Sequence, residues 1–247
     1  MSGHSKWSQI KRQKGANDVK RGAIFTKMTR EIMLAAREGG GDPEGNFRLR
    51  LAMDRARAVN VPQVNVQRAI DRAVGGTDGA QVETVMYEGY GPGGVSVMVE
   101  AATDSRNRTA AEVRAAFVRH NGKLGEPGSV QWLFEQKGII DIDATGRDPD
   151  EIELAAIDVG AEDVEQSAGL VTVYTAPNRF EAVKKALEAQ KVKIVEADMS
   201  MRPSNSVRLD GDQAKKVISL VEALEDLDDV QKVHANFDVP DEVLETA

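Results

Sequence analysis

Arginine and lysine carry most of the chemistry that residue types and spacing offer in this sequence. Arg48, Arg50, Arg55 and Arg57 fall within ten positions. Residues 48 and 55, like 50 and 57, stand seven apart, so on a helix each pair shares a face about two turns apart. Upstream lie Lys6, Lys11, Arg12 and Lys14, then Lys20, Arg21, Lys27 and Arg30. Guanidinium and ammonium groups at such spacing suit phosphates along a groove, by charge and by forked hydrogen bonds. Contacts of that kind position a protein on a nucleic acid without reading its sequence. Trp7 sits among the first of these charges, where its ring could stack on a base or pack back onto neighbouring helices. The candidate nucleic-acid-binding residues are therefore Lys6, Trp7, Lys11, Arg12, Lys14, Lys20, Arg21, Lys27, Arg48, Arg50, Arg55 and Arg57. Arg68 and Arg72 form a further i, i+4 pair.

Other chemistries find little support. Gly89-Tyr90-Gly91-Pro92-Gly93-Gly94 matches G-x-G-x-x-G, but a dinucleotide site needs a helix after the glycines. Strand-like Val95-Ser96-Val97-Met98-Val99 follows instead, which predicts a hairpin turn. His4, His120 and His234 form no metal-ligand spacing. The chain has no cysteine, which excludes disulfides, thiolate metal sites and cysteine nucleophiles. No G-x-S-x-G elbow is present, and no pair of carboxylates stands out as catalytic. The expectation is a non-enzyme without metal, cofactor or small-molecule substrate. The loop Asp104-Ser105-Arg106-Asn107-Arg108-Thr109 has two readings: a second phosphate or partner contact, or internal pairing of Asp104 with one arginine.

These cations sit in a chain whose net charge is −8, from 32 Lys+Arg and 40 Asp+Glu in 247 residues. The bulk sign disfavours a polyanion, but the charge is uneven. Residues 1–75 hold 15 Lys+Arg and 7 Asp+Glu, a net of +8; residues 76–247 hold 17 and 33, a net of −16. Such asymmetry points to nucleic acid as the partner of the basic part. No stretch reaches the length of a membrane span, and the N-terminus lacks the apolar core of a signal peptide. The expected location is the cytoplasm.

The elements that must position the cations read as follows. Residues 1–16 look like a basic arm. Residues 17–38 form a helix with Ile24, Met28, Ile32 and Ala35 on one face. After Gly39-Gly40-Gly41, Asp42-Pro43 restarts a helix with Asp42 as N-cap, and Phe47, Leu51 and Ala58 lie along one side. Pro62 opens a third helix carrying Val66, Ile70 and Val74. Strands follow at 82–90 and 94–102, and Thr109 with Glu112 makes a capping box for the next helix. Residues 138–202 read βαββαβ, the ferredoxin-like order, with Pro177 opening its second helix. The helix from about 212 and the strand from 230 need partners in residues 80–135, so the middle domain is discontinuous. The expected fold is α+β: an N-terminal three-helix bundle (1–77), an α/β domain (78–136 and 204–247), and a ferredoxin-like domain (137–203) inserted in it.

Several strings resemble the YebC/PmpR family: Met1 to Trp7, Phe25-Thr26-Lys27, Gly40-Gly41-Asp42-Pro43, Asn46 to Arg50, Tyr87 to Gly94, Thr103 to Thr109, and Leu124 to Val130. The resemblance covers essentially the whole chain. It implies three domains, one inserted in another, in agreement with the elements above. It also implies transcriptional regulation through DNA binding. Family members are linked as well to translation, relieving ribosome stalling on proline runs, so ribosomal RNA and the ribosome are alternative partners. The third helix departs from the family: Gln63 and Val64 follow its Pro, and Asp71-Arg72 is less basic than usual. The resemblance therefore makes that helix a weaker contact than the arm and the second helix.

Overall fold

The computed structural model describes residues 21–75, 82–167 and 169–238. The arm candidates Lys6, Trp7, Lys11, Arg12, Lys14 and Lys20, together with His4, lie outside the described residues. The chain divides into two compact units, Leu133–Ser204 and the described residues on either side of it.

The larger unit begins with three helices, α1 (Arg21–Gly39), α2 (Phe47–Ala58) and α3 (Gln63–Val74). Their shared core includes Ile32, Ala35 and Ala36 of α1, Leu49, Ala52 and Ala56 of α2, and Val66, Ala69 and Ile70 of α3. Truncating one such aliphatic side chain to Ala costs about 2–5 kcal/mol. Two expectations for this core are corrected. Val74 is 53% exposed, because it ends its helix past the packed face. The α2 core side is Leu49, Leu51, Ala52 and Ala56, with Phe47 only half-buried and Ala58 exposed.

The start of α2 is also corrected. Asp42-Pro43 lies in a turn, with Asp42 Oδ1 accepting from Glu44 N at 3.0 Å. Asn46 is the N-cap: its Oδ1 accepts from Leu49 N at 3.0 Å. Its Nδ2 donates to the carbonyls of Ala35 and Gly40, both at 2.7 Å. One buried amide thus satisfies groups at the end of α1 and the start of α2, which a carboxylate, having no N–H, cannot do.

The unit continues with β1 (Glu83–Tyr90), β2 (Ser96–Thr103), α4 (Arg106–Arg119) and β3 (Lys123–Leu124). β1 and β2 form an antiparallel hairpin with Tyr90 opposite Ser96. The G-x-G-x-x-G string is therefore a turn, as its sequence context predicts. Gly93 and Gly94 adopt φ of 72° and 78°, which suits glycine. A Cβ on Gly89 would meet Lys123 O at 2.7 Å and the Phe117 ring at 2.8 Å, so glycine there admits α4 and β3 close to β1.

The capping box at Thr109 does not form. α4 starts at Arg106 after Ser105, one turn earlier, and Thr109 is a buried residue inside it. Its hydroxyl is committed elsewhere, as described below.

The smaller unit holds β4 (Phe134–Asp143), α5 (Pro149–Asp158), β5 (Asp163–Ser167), β6 (Leu170–Thr175), α6 (Phe180–Ala189) and β7 (Lys193–Pro203). Its sheet order is β5-β6-β4-β7 with antiparallel neighbours, the ferredoxin-like arrangement. Asp148 caps α5, accepting from Asp150 N at 3.0 Å. α6 begins at Phe180 rather than at Pro177, after a turn in which Arg179 N donates to Ala176 O at 2.9 Å.

The larger unit is completed by β8 (Val207–Arg208), α7 (Gly211–Glu225), β9 (Val230–Ala235) and β10 (Phe237–Asp238). β9 pairs antiparallel with β2, giving a sheet ordered β3-β1-β2-β9. The late helix and strand thus join the early hairpin, as their lack of partners in the sequence requires. Val97, Val99, Val113, Phe117, Val217 and Leu220 are among the buried residues of the core that α4 and α7 form with this sheet.

Candidate nucleic-acid interface

The four arginines of α2 sit where the sequence puts them, but two of them pair with carboxylates of another helix. Arg55 pairs with Glu31 of α1 at 2.6 Å, and Arg48 pairs with Glu38 of α1. The acids are seven apart, like the arginines, so the two helices match one ladder against the other. The Arg55 pair is largely covered, at 23% and 19% side-chain exposure, and the Arg48 pair is open, at 47% and 51%. Arg50 lies over the Phe47 ring at 5.6 Å and donates to Pro43 O at 2.5 Å and Glu44 O at 2.8 Å. Arg57 is the most exposed of the four at 72%, with an i, i+3 pair to Asp54 at 2.8 Å. Arg48 and Arg57 therefore face solvent with surface partners that a phosphate can displace cheaply, since exposed pairs are worth about 0.2–1 kcal/mol. Arg50 and Arg55 are tied into the helical frame.

The first helix carries Arg21 at its start and Lys27 two turns on. Lys27 Nζ donates to the carbonyl of Glu225, the last residue of α7. A cation there complements the negative end of the helix dipole. Arg30 continues this seam, donating to Asp228 O at 2.5 Å and pairing with Asp229 at 2.8 Å.

Asp229 is a hub that sequence reasoning missed. Its side chain is 2% exposed and accepts from Arg108 at 2.7 Å, Thr109 Oγ1 at 2.6 Å and Thr103 Oγ1 at 3.2 Å, besides Arg30. Burial opposes its charge. The Thr109 hydroxyl and the guanidiniums of Arg108 and Arg30 outweigh that cost, and its pKa lies below the ordinary aspartate value. The hub joins α1, β2, α4 and the turn before β9. Of the two readings of the 104–109 loop, the internal pairing of Asp104 with an arginine is present. Arg108 pairs with Asp104 at 2.8 Å as well as with Asp229, and Arg106 grips Glu83 with two bonds of 2.5 Å. Both arginines are paired internally.

Glu88 is a second missed carboxylate. It is 5% exposed and accepts from the backbone N–H groups of Gly128 at 2.6 Å, Val130 at 2.7 Å and Gln131 at 2.8 Å. Burial raises its pKa, the three N–H donors lower it further than that, and the net shift is downward. Asp and Glu are so numerous in this chain that no sequence signal separates these two from the rest.

Among the described residues no cluster of His, Asp and Glu is arranged to hold a metal ion, and no helix is long and apolar enough to cross a membrane. His120 Nδ1 lies 3.1 Å from Ser219 Oγ, and His234 is buried in β9.

Comparison with known proteins places this arrangement. The family model for the TACO1/YebC protein N-terminal domain matches residues 5–76, and the one for the TACO1/YebC second and third domain matches residues 82–237. A "probable transcriptional regulatory protein" of Chloroflexus aggregans is 53% identical, covering 99% of this chain and 98% of that relative. One of the same description from Dictyoglomus thermophilum is 50% identical, covering 100% and 99%. The crystal structure of a conserved hypothetical protein, Aq1575, from Aquifex aeolicus is similar with a TM-score of 0.84 and 47% identity, covering 90% of this chain and 92% of that one. With family models matching residues 5–76 and 82–237, and relatives near half identity over nearly their full length, the chain belongs to the TACO1/YebC family.

Proposed function

We infer that this protein is a non-enzymatic, DNA-binding transcriptional regulator of the cytoplasm that holds nucleic acid through its basic N-terminal helical segment. The observation that carries this reading is the charge split: 15 Lys+Arg against 7 Asp+Glu in residues 1–75 of a chain that is acidic elsewhere. The names of the curated relatives support the regulatory role. In this reading residues 1–77 form the binding domain, 78–136 with 204–247 a second domain, and 137–203 an inserted third. Arg48 and Arg57, exposed on α2, join the arm residues in contacting phosphate, while the acidic remainder limits indiscriminate coating of polyanions. The test is titration of promoter duplex and random duplex over a salt series. Saturable binding that favours the promoter and falls steeply with salt is expected. Equal affinity for all duplexes at physiological salt would sink the specific regulator.

A second reading keeps the surface and changes the polyanion to ribosomal RNA, with relief of stalling on proline-rich sequences as the task. Guanidinium–phosphate contacts favour it no less, since they carry no sequence information. Co-sedimentation with ribosomes, and relief of stalling on a proline-rich reporter, are its expected outcomes. An unchanged reporter in a deletion strain counts against it.

A further inference from the structure

We propose that the cleft between α1, α3 and the start of β1 is a phosphate site for a nucleic-acid backbone, with Arg37 and Arg72 as its cations. This rests on the nucleic-acid reading above but places a contact on α3, which the resemblance in sequence makes a weaker contact than the arm and α2. The cleft has a volume of about 450 Å³ and is lined by Arg30, Arg37, Asn65, Arg72 and Asp104, over an apolar floor that includes Phe25 and Met33.

Which of these charges is available follows from their partners. Arg30 is committed to Asp229 at 2.8 Å, and Asp104 to Arg108 at 2.8 Å. Arg37 donates to Val82 O at 2.8 Å, a neutral carbonyl that orients the guanidinium without cancelling its charge. Arg72 is exposed and has no hydrogen-bond or ion-pair partner among the described residues. The cleft therefore presents two uncompensated positive charges beside the amide of Asn65. That differs from α2, where Arg48, Arg55 and Arg57 each already hold a carboxylate. Arg68, exposed and also without a partner among the described residues, stands one turn before Arg72 on the same helix face. Four residues on a helix rise about 6 Å, so the pair extends the line of charge out of the cleft. The ends of α1 and α3 are held together there: a Cβ on Gly41, just past α1, would lie 3.0 Å from Ile70 and 3.3 Å from Val74. Two guanidiniums lining one opening, Arg37 oriented by its bond to Val82 O, suit forked bonds to phosphate oxygens.

The test is fluorescence anisotropy on the full chain, with a labelled mixed-sequence DNA duplex and a single-stranded RNA of the same sequence, each over a salt series. Arg37→Gln/Arg72→Gln should weaken binding uniformly across sequences. It should also reduce the log–log salt slope by about 2 on duplex, or somewhat less on single strands. Arg72→Gln alone removes no contact within the described residues, so it keeps the fold and should lower the slope by about 1 on duplex. Loss on duplex alone identifies DNA as the source of the phosphate, loss on RNA alone identifies RNA, and either supports the site. If the wild type binds and the double variant keeps its affinity and slope, the cleft is not the site and the functional reading stands. If the wild type binds neither probe, that reading falls and this inference with it.

Discussion

Asp229 and Glu88 are charged and buried, whereas Arg37 and Arg72 are charged and uncovered. The carboxylates meet all their bonding demands inside the chain: Asp229 with two arginines and two threonines, Glu88 with three backbone N–H groups. The arginines meet little of theirs. The first arrangement fixes where elements sit, because a buried charge tolerates only the geometry that satisfies it. The second leaves charge for a ligand. Net charge by itself distinguishes neither, and the count of arginines on α2 overstates how many are at liberty.

Substitutions can break this contrast, and the largest effect is expected at Asp229. Asp229→Ala leaves Arg30 and Arg108 facing an empty site and should destabilise the larger unit by about 3 kcal/mol in chemical denaturation. Glu88→Ala orphans three backbone donors and should cost about 1–3 kcal/mol by the same measurement. Both carboxylates have lowered folded pKa values, so the unfolded state takes up their protons first as pH falls. Their stabilisation is fully present above about pH 4, the unfolded range, and is lost as pH falls from there through the folded values. Denaturation midpoints measured across that window should drop in the wild type and drop less in either variant. A wild-type profile that is flat there contradicts the roles given to both groups.

Smaller effects separate the arginines. Arg55→Ala, which opens the covered pair with Glu31, should cost about 1 kcal/mol. Arg57→Ala and Arg72→Gln should leave stability within about 0.5 kcal/mol, as surface substitutions do. If Arg72→Gln lowers stability as much as Arg55→Ala, then Arg72 belongs with the structural charges and the contrast fails at that residue.

Much of this was legible in the sequence because local rules decide it. Helix periodicity places Ile32, Ala35, Val66 and Ile70 in the core, and the residues after the glycine string mark it as a hairpin turn. The βαββαβ order of the smaller unit follows from alternating patterns, and the unpartnered helix and strand near the C-terminus point back to the early hairpin. Local rules fail where a tertiary neighbour competes. Asp42 reads as the cap, but Asn46, able to donate as well as accept, takes the role, since the neighbouring carbonyls need an N–H. Thr109 had capping-box spacing, but its hydroxyl serves Asp229, 120 positions away.

The sequence by itself determined that a basic segment precedes an acidic remainder, that three helices carry it, and that spacing of seven puts Arg48 in line with Arg55. Glu31 and Glu38 have the same spacing, yet nothing local says that the two ladders face each other. Only the tertiary structure decided which arginines are matched and which are left over. Ion pairs and hydrogen bonds act over a few ångströms, and residues that come within that range are set by how helices and strands pack, not by their distance along the chain.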